Sequence, residues 1–182
     1  MFHWIYFPIL SSTHQWAMEH YHQFFCQYLF VYTGHQTNGV GRKGDIWASL
    51  GESLYGSFIF PVNVMITQKK FTFLSWILCH TIIAILKREG LSPSFKKPND
   101  ILLRQKKVCG VMTSIHSAVA IVSFGLNVNV ENREFIYNSL VATSLYVEKG
   151  GQEFLIQDLL KDIVNQFELN LYSFFIHHHS FF

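Results

Sequence analysis

Hydrophobic residues recur along this chain in two rhythms, and each change of rhythm marks a new element. Residues 1–10 are almost wholly apolar and aromatic. They lack the basic lead and small residues of a cleaved leader, so they read as a first strand. Ser11, Ser12, Thr13, His14 and Gln15 then offer N-cap hydroxyls ahead of a helix predicted over 16–25. Residues 27–33 are β-branched and aromatic, a strand that delivers the chain into a glycine-rich loop. Gly51 and Gly56 argue against helix beyond that loop, and 54–64 reads as strand until Pro61 weakens its far end.

Helical spacing takes over at 71–88, where Leu74, Leu78, Ile82, Ile85 and Leu86 share a face and Lys87 and Arg88 close the last turn before Gly90. Two apolar runs, 101–103 and 108–115, flank Arg104-Gln105-Lys106-Lys107 and predict a hairpin with a basic turn. A further run, 118–124, ends at Gly125-Leu126-Asn127. Residues 152–172 place Leu155, Leu159, Ile163 and Phe167 four apart, a long amphipathic helix. The layout is α+β, with a mixed, largely antiparallel sheet and helices packed on it.

Composition narrows the function classes. With 182 residues and 49% hydrophobic content the chain builds one core, and no repeat or linker divides it. A net charge of +2 is too small to attract nucleic acid or a membrane broadly, so useful positive charge must be local. The uncharged stretch 71–86 falls short of the ~20 residues that a spanning helix needs. Cys26, Cys79 and Cys109 form no C-x-x-C pair and read as reduced core residues of a cytoplasmic protein. His20 and His22 point to different helix faces and His177, His178 and His179 form a terminal run, so no metal site is expected.

Local positive charge appears with the glycines. Gly39, Gly41 and Gly44 match G-x-G-x-x-G after a strand, but no helix follows and no acid stands about twenty residues on to hold a ribose. A P-loop fails as well, because Asp45 and Ile46 follow Gly44. What remains is a flexible loop whose N–H groups, with Arg42 and Lys43, can close on an anion.

Five features in order give that loop a context. Gln36 precedes it and Trp47 ends it; Pro98-Asn99-Asp100, Lys107-Val108-Cys109-Gly110 and Gly125-Leu126-Asn127 follow, while Ser12-Thr13-His14 stands upstream. Alone, Pro-Asn-Asp is a turn and Lys106-Lys107 a solvated hairpin tip. Together they resemble the catalytic domain of the biotin protein ligases, in the biotin/lipoate ligase superfamily, over most of the chain. The resemblance implies a fold like that of class II aminoacyl-tRNA synthetases. It also implies a two-step reaction, in which biotin and ATP form biotinyl-5′-AMP and the biotinyl group passes to a lysine of the biotin carboxyl carrier protein of acetyl-CoA carboxylase.

By the same resemblance Ser12, Thr13, His14, Gln36, Gly39, Val40, Gly41, Arg42 and Lys107 form the biotin site. Arg42, Trp47, Lys96, Asn99, Asp100 and Asn127 face ATP, Arg42 and Lys107 are catalytic, and Asn99 and Asp100 offer oxygens toward Mg²⁺. The chain departs from the pattern at Val40, where the family has arginine, at Asp45, where a basic residue is usual, at Lys97 for tryptophan and at His14 for asparagine. These changes weaken attraction for an adenylate. Two alternatives stay open: a ligase-like protein that binds biotin or a partner without efficient catalysis, and a lipoate or octanoate enzyme, against which the 39–47 loop speaks. The expected organisation is one catalytic domain over 1–182, without a DNA-binding winged helix or a C-terminal β-barrel, hence not a repressor. Homodimer pairing through sheet edges is compatible with it.

Overall fold

The computed structural model describes residues 1–24, 26–62 and 72–177. Seven strands form one sheet, ordered β1 (His3–Tyr6), β2 (Leu29–Thr33), β5 (Glu52–Pro61), β9 (Val119–Asn129), β8 (Lys106–His116), β7 (Asp100–Leu103) and β6 (Ser94–Lys96). β1 runs parallel to β2 and every other pairing is antiparallel. A separate hairpin joins β3 (Gly39–Val40) to β4 (Ile46–Trp47) through a single 3₁₀ turn, Arg42–Gly44. The mixed, largely antiparallel sheet is the one the sequence predicts.

β5 and β9 read as nearly continuous apolar runs because both faces of the sheet centre are covered. Phe58, Phe60, Val122 and Phe124 join a large core with helices α2 (Thr72–Arg88) and α5 (Ile156–His177), to which Leu78, Ile82, Ile163 and Phe167 belong. The intervening Ile59, Val119 and Ile121 point the other way and cluster with Ala17 of helix α1 (Thr13–His20). The period of two along each strand thus sorts its residues between two layers. Among the described residues no helix is long and apolar enough to cross a membrane, and α2 buries its apolar residues in the large core.

Several boundaries move for physical reasons. Ser12, extended at φ −159°, caps α1 by accepting from the Gln15 N–H, so the helix starts at Thr13 and gives way to a 3₁₀ turn at Tyr21–Phe24. α5 begins at Ile156 and extends to His177, later at both ends than the periodicity suggests. The basic turn contracts to Arg104 and Gln105, at φ 45° and 66°, and Lys106 and Lys107 belong to β8. Positive φ at both central residues is the hairpin geometry usually given to Asn-Gly. The short elements β6, α3 (Asn132–Tyr137) and α4 (Leu145–Glu148) are absent from the sequence prediction. Phe25, Phe71 and residues 63–64 of the predicted elements lie outside the described residues. Cys79 and Cys109 are buried, but Cys26 is exposed in a turn at φ 69°, which corrects its reading as a core residue.

The two-layer arrangement predicts that Leu78→Ala, at a fully buried α2 position, costs about 2–5 kcal/mol in urea unfolding. A loss below ~1 kcal/mol would mean that α2 is not seated on the sheet.

Candidate functional site

One cleft of about 480 Å³ opens over the end of the sheet. Its first wall is the start of α1, where Ser12, Thr13 and His14 line it. The Thr13 N–H and hydroxyl both donate to Gln36 Oε1, at 2.8 and 3.3 Å. Gln36 is itself held by its N–H donating to Ser49 Oγ at 3.0 Å. This end of the cleft is therefore neutral and rich in hydrogen-bonding groups. Gly39 stands just behind it: a Cβ there would lie 2.5 Å from the Trp47 carbonyl and 2.9 Å from Gln36 Nε2. Lack of a side chain lets the β3–β4 hairpin close on Gln36.

The cations gather toward the middle. Arg42 donates from Nη1 to Asn99 Oδ1 at 2.9 Å, and Asn99 donates from Nδ2 to the Val111 carbonyl at 2.6 Å. Lys107 Nζ is 2.8 Å from Asp100 Oδ1 and 5.0 Å from the centre of the Trp47 ring. Lys96 and Lys97 are exposed at the rim, and Val40, Gly41 and Asp45 complete the hairpin side. Asp45 adds a carboxylate to this lining.

Trp47 depends on two glycines that the sheet pairs directly, Gly110 of β8 and Gly125 of β9. A Cβ on Gly110 would meet Trp47 Cζ3 at 2.8 Å, and one on Gly125 would meet Cε2 at 2.7 Å. The indole lies flat in the gap left by two missing side chains. Beyond it opens a smaller chamber of about 160 Å³, lined by Asn127, Phe135, Leu140 and Val141. Ile46, Trp47 and Lys107 line both spaces. Of the residues that the resemblance assigns to biotin and ATP, all line the main cleft except Gly39, behind Gln36, and Asn127, which lines only the smaller chamber.

Sequence reasoning missed the polar floor. His14 Nδ1 is 2.8 Å from Ser123 Oγ, its Nε2 is 3.2 Å from Ser114 Oγ, and Ser123 is 2.7 Å from Ser57. The available signal was a lone serine inside the apolar run 118–124: buried hydroxyls need partners. Burial first, and nearby His116 second, lower the His14 pKa to about 4. The unfolded chain takes up a proton near pH 6.5, so the stability that neutral His14 contributes is complete above that pH and is lost as pH falls toward about 4. His14→Asn should flatten the urea-unfolding profile across this window. An unchanged slope would assign the acid sensitivity to other groups.

A family model described as the Biotin/lipoate A/B protein ligase family matches residues 6–129. The bifunctional ligase/repressor BirA of Bacillus subtilis (strain 168) is 29% identical over 140 residues, 73% of this chain and 42% of its own length. The biotin–[acetyl-CoA-carboxylase] ligase of Mycobacterium tuberculosis is 24% identical over 138 residues, 71% of this chain and 50% of its own. This chain therefore spans half or less of these curated relatives. Biotin protein ligase from Aquifex aeolicus, solved in complex with biotin and ATP, has a TM-score of 0.78 and 26% identity, covering 94% of this chain and 71% of that one. The fold is that of the biotin protein ligases, class II aminoacyl-tRNA synthetase-like. With the match covering more than half of its length, the chain belongs to the biotin/lipoate A/B protein ligase family.

Proposed function

We propose that this chain is a biotin protein ligase that forms biotinyl-5′-AMP from biotin and ATP and transfers the biotinyl group to a lysine of the biotin carboxyl carrier protein. The observation that carries the reading is the position of Lys107 and Trp47 between two adjoining chambers. A reaction that joins two bound molecules needs the reacting ends held at one point, and this boundary is such a point.

In this reading the neutral pair Thr13 and Gln36 receives the ureido ring of biotin, with Gln36 Oε1 occupied by Thr13 and Nε2 left to donate. The biotin carboxylate then reaches Lys107 and Arg42. It attacks the α-phosphorus of ATP, a new P–O bond forms, and pyrophosphate leaves. Lys107 and Arg42 stabilise the charge on the oxygens in flight, the kind of fixed electrostatic assistance that dominates such steps. In the second step the acceptor amine attacks the acyl carbon and AMP departs. Asn127, whose Nδ2 is committed to the Thr143 carbonyl at 2.9 Å, keeps Oδ1 to accept from the adenine amino group in the smaller chamber. The leading residues on the nucleotide side are thus Trp47, Lys96, Asn99, Asp100 and Asn127.

The donor set suits a metal that arrives on the nucleotide. The cleft lining holds two carboxylates, Asp100 beside Asn99 and Asp45 on the hairpin, and among the described residues no group of three His, Cys, Asp or Glu could cage an ion. Asn99 and Asp100 would hold Mg²⁺ brought in on the nucleotide, and the ion would neutralise triphosphate charge.

A second reading, a ligase-like binder without efficient catalysis, is favoured by Asp45 and Val40 in the cleft lining: one repels phosphate, and the other supplies no charge where the family has arginine. Incubating the purified chain with biotin, ATP·Mg²⁺ and carrier domain separates the two. The ligase reading expects a biotinylated lysine by mass spectrometry; absence of both adenylate and biotinylated lysine sinks it. Lys107→Ala should retain the fold by circular dichroism and lose about 10²–10³-fold in adenylation, whereas unchanged turnover removes Lys107 from the mechanism. Calorimetry decides the ligand, because tight lipoate binding with none for biotin would reverse the assignment.

A further inference from the structure

Glu148 carries a largely covered carboxylate that the proposed reaction does not use. It lies at the end of α4 with its side chain only 7% exposed. One oxygen accepts from the Thr143 hydroxyl at 2.7 Å, and the other is 3.2 Å from Arg104 Nε. Arg104 is 83% exposed, so water and salt screen that pair and the hydroxyl is the sheltered partner. Burying a carboxylate costs free energy that an apolar residue would avoid. What the charge secures here is the orientation of Thr143.

Thr143 is itself almost fully buried, and its remaining hydrogen bonds run to the site. Its N–H donates to the Lys107 carbonyl at 2.9 Å, next to a parallel bridge between Ala142 and Lys107. Its carbonyl accepts from Asn127 Nδ2 at 2.9 Å. The residues just before it, Leu140, Val141 and Ala142, line the smaller chamber together with Asn127 and Lys107. A single residue thus ties the chamber wall to the Asn127 side chain and to the backbone of Lys107, the two residues that the ligase reading assigns to nucleotide and α-phosphate.

We propose that Glu148, acting through Thr143, is a positioning residue for the nucleotide half-site: it fixes Asn127 and the Lys107 segment of β8 in register across the smaller chamber. The inference rests on the ligase reading for the identity of the nucleotide and on the hydrogen bonds alone for the positioning. Losing this buried anchor should weaken the nucleotide side more than the biotin side, whose neutral end is built on Thr13 and Gln36.

Glu148→Ala and Thr143→Val should each raise KM for ATP by roughly tenfold, the scale of one buried hydrogen bond to a charge, with a much smaller rise in KM for biotin. Thr143→Ser keeps the hydroxyl and should restore the wild-type ATP KM; Glu148→Gln keeps an acceptor and should lie between wild type and alanine. Parallel changes in both KM values, or in neither, overturn the proposal, as does a valine variant that serine fails to rescue. Should the wild-type chain bind ATP but not turn over, the ligase reading fails, and calorimetry with ATP alone makes the same comparison. Hydrogen exchange supplies a readout independent of ligand: the Thr143 amide should exchange faster in Glu148→Ala while β5 amides keep their protection. Unchanged exchange at Thr143 overturns the positioning role.

Discussion

The seat of Trp47 on Gly110 and Gly125 is the contact on which the site is organised. Two antiparallel strands place their glycines side by side, and an indole from a separate hairpin fills the space. That close approach brings Arg42, Val40 and Gly41 over the sheet end, since they precede Trp47 in the same hairpin. It also divides the space above the sheet into a larger and a smaller chamber, with Lys107 beside the dividing ring. A methyl group on either glycine would overlap the ring and lift it, and the two spaces would merge. Backbone pairing deep in the sheet therefore determines the geometry of an exposed loop.

The same dependence explains the unequal strength of the other supports. β5 and β9 are covered on both faces, and α2 and α5 bury the large core against one of them. On the opposite face a smaller layer with α1 suffices, because the start of that helix is pinned by Ser12 and by the bond from Thr13 to Gln36. The hydrogen-bonding wall of the cleft thus stands on the thinner layer, backed by the stiff centre of the sheet. His14 fits this picture: its two ring nitrogens meet the hydroxyls of Ser123 and Ser114, on the neighbouring strands β9 and β8.

Legibility in the sequence followed the length and periodicity of each element. α2, α5 and the central strands carry enough repeating apolar positions to declare themselves, whereas β6, α3 and α4 are too short for any period to show. The short helices exist through their caps, Ser144 for α4 and the reciprocal Glu131 and Glu134 pair for α3. The cleft residues were legible through ordered motifs, since Gln36, Trp47, Asn99 and Lys107 are recognisable one by one. Ser114 and Ser123 were not, because a hydroxyl in a strand announces no partner until the fold supplies one. Cys26 shows the opposite error: cysteine is commonly buried, but a turn at positive φ holds this one at the surface. Gly110 and Gly125 were quoted for their motifs, and only the structure reveals that their shared purpose is to admit a ring.

The pairing of Lys107 with Asp100 and of Arg42 with Asn99 changes what a rise in ionic strength would do. Lys107 already has a carboxylate partner, so an anion reaching it exchanges one partner for another, whereas Arg42, exposed and hydrogen-bonded to a neutral amide, keeps its full charge. Lys96 and Lys97 add positive charge at the exposed rim, where a screening length of about 8 Å at physiological salt acts in full. Salt therefore bears on the capture of an anion and on its hold by Arg42, and less on its contact with Lys107.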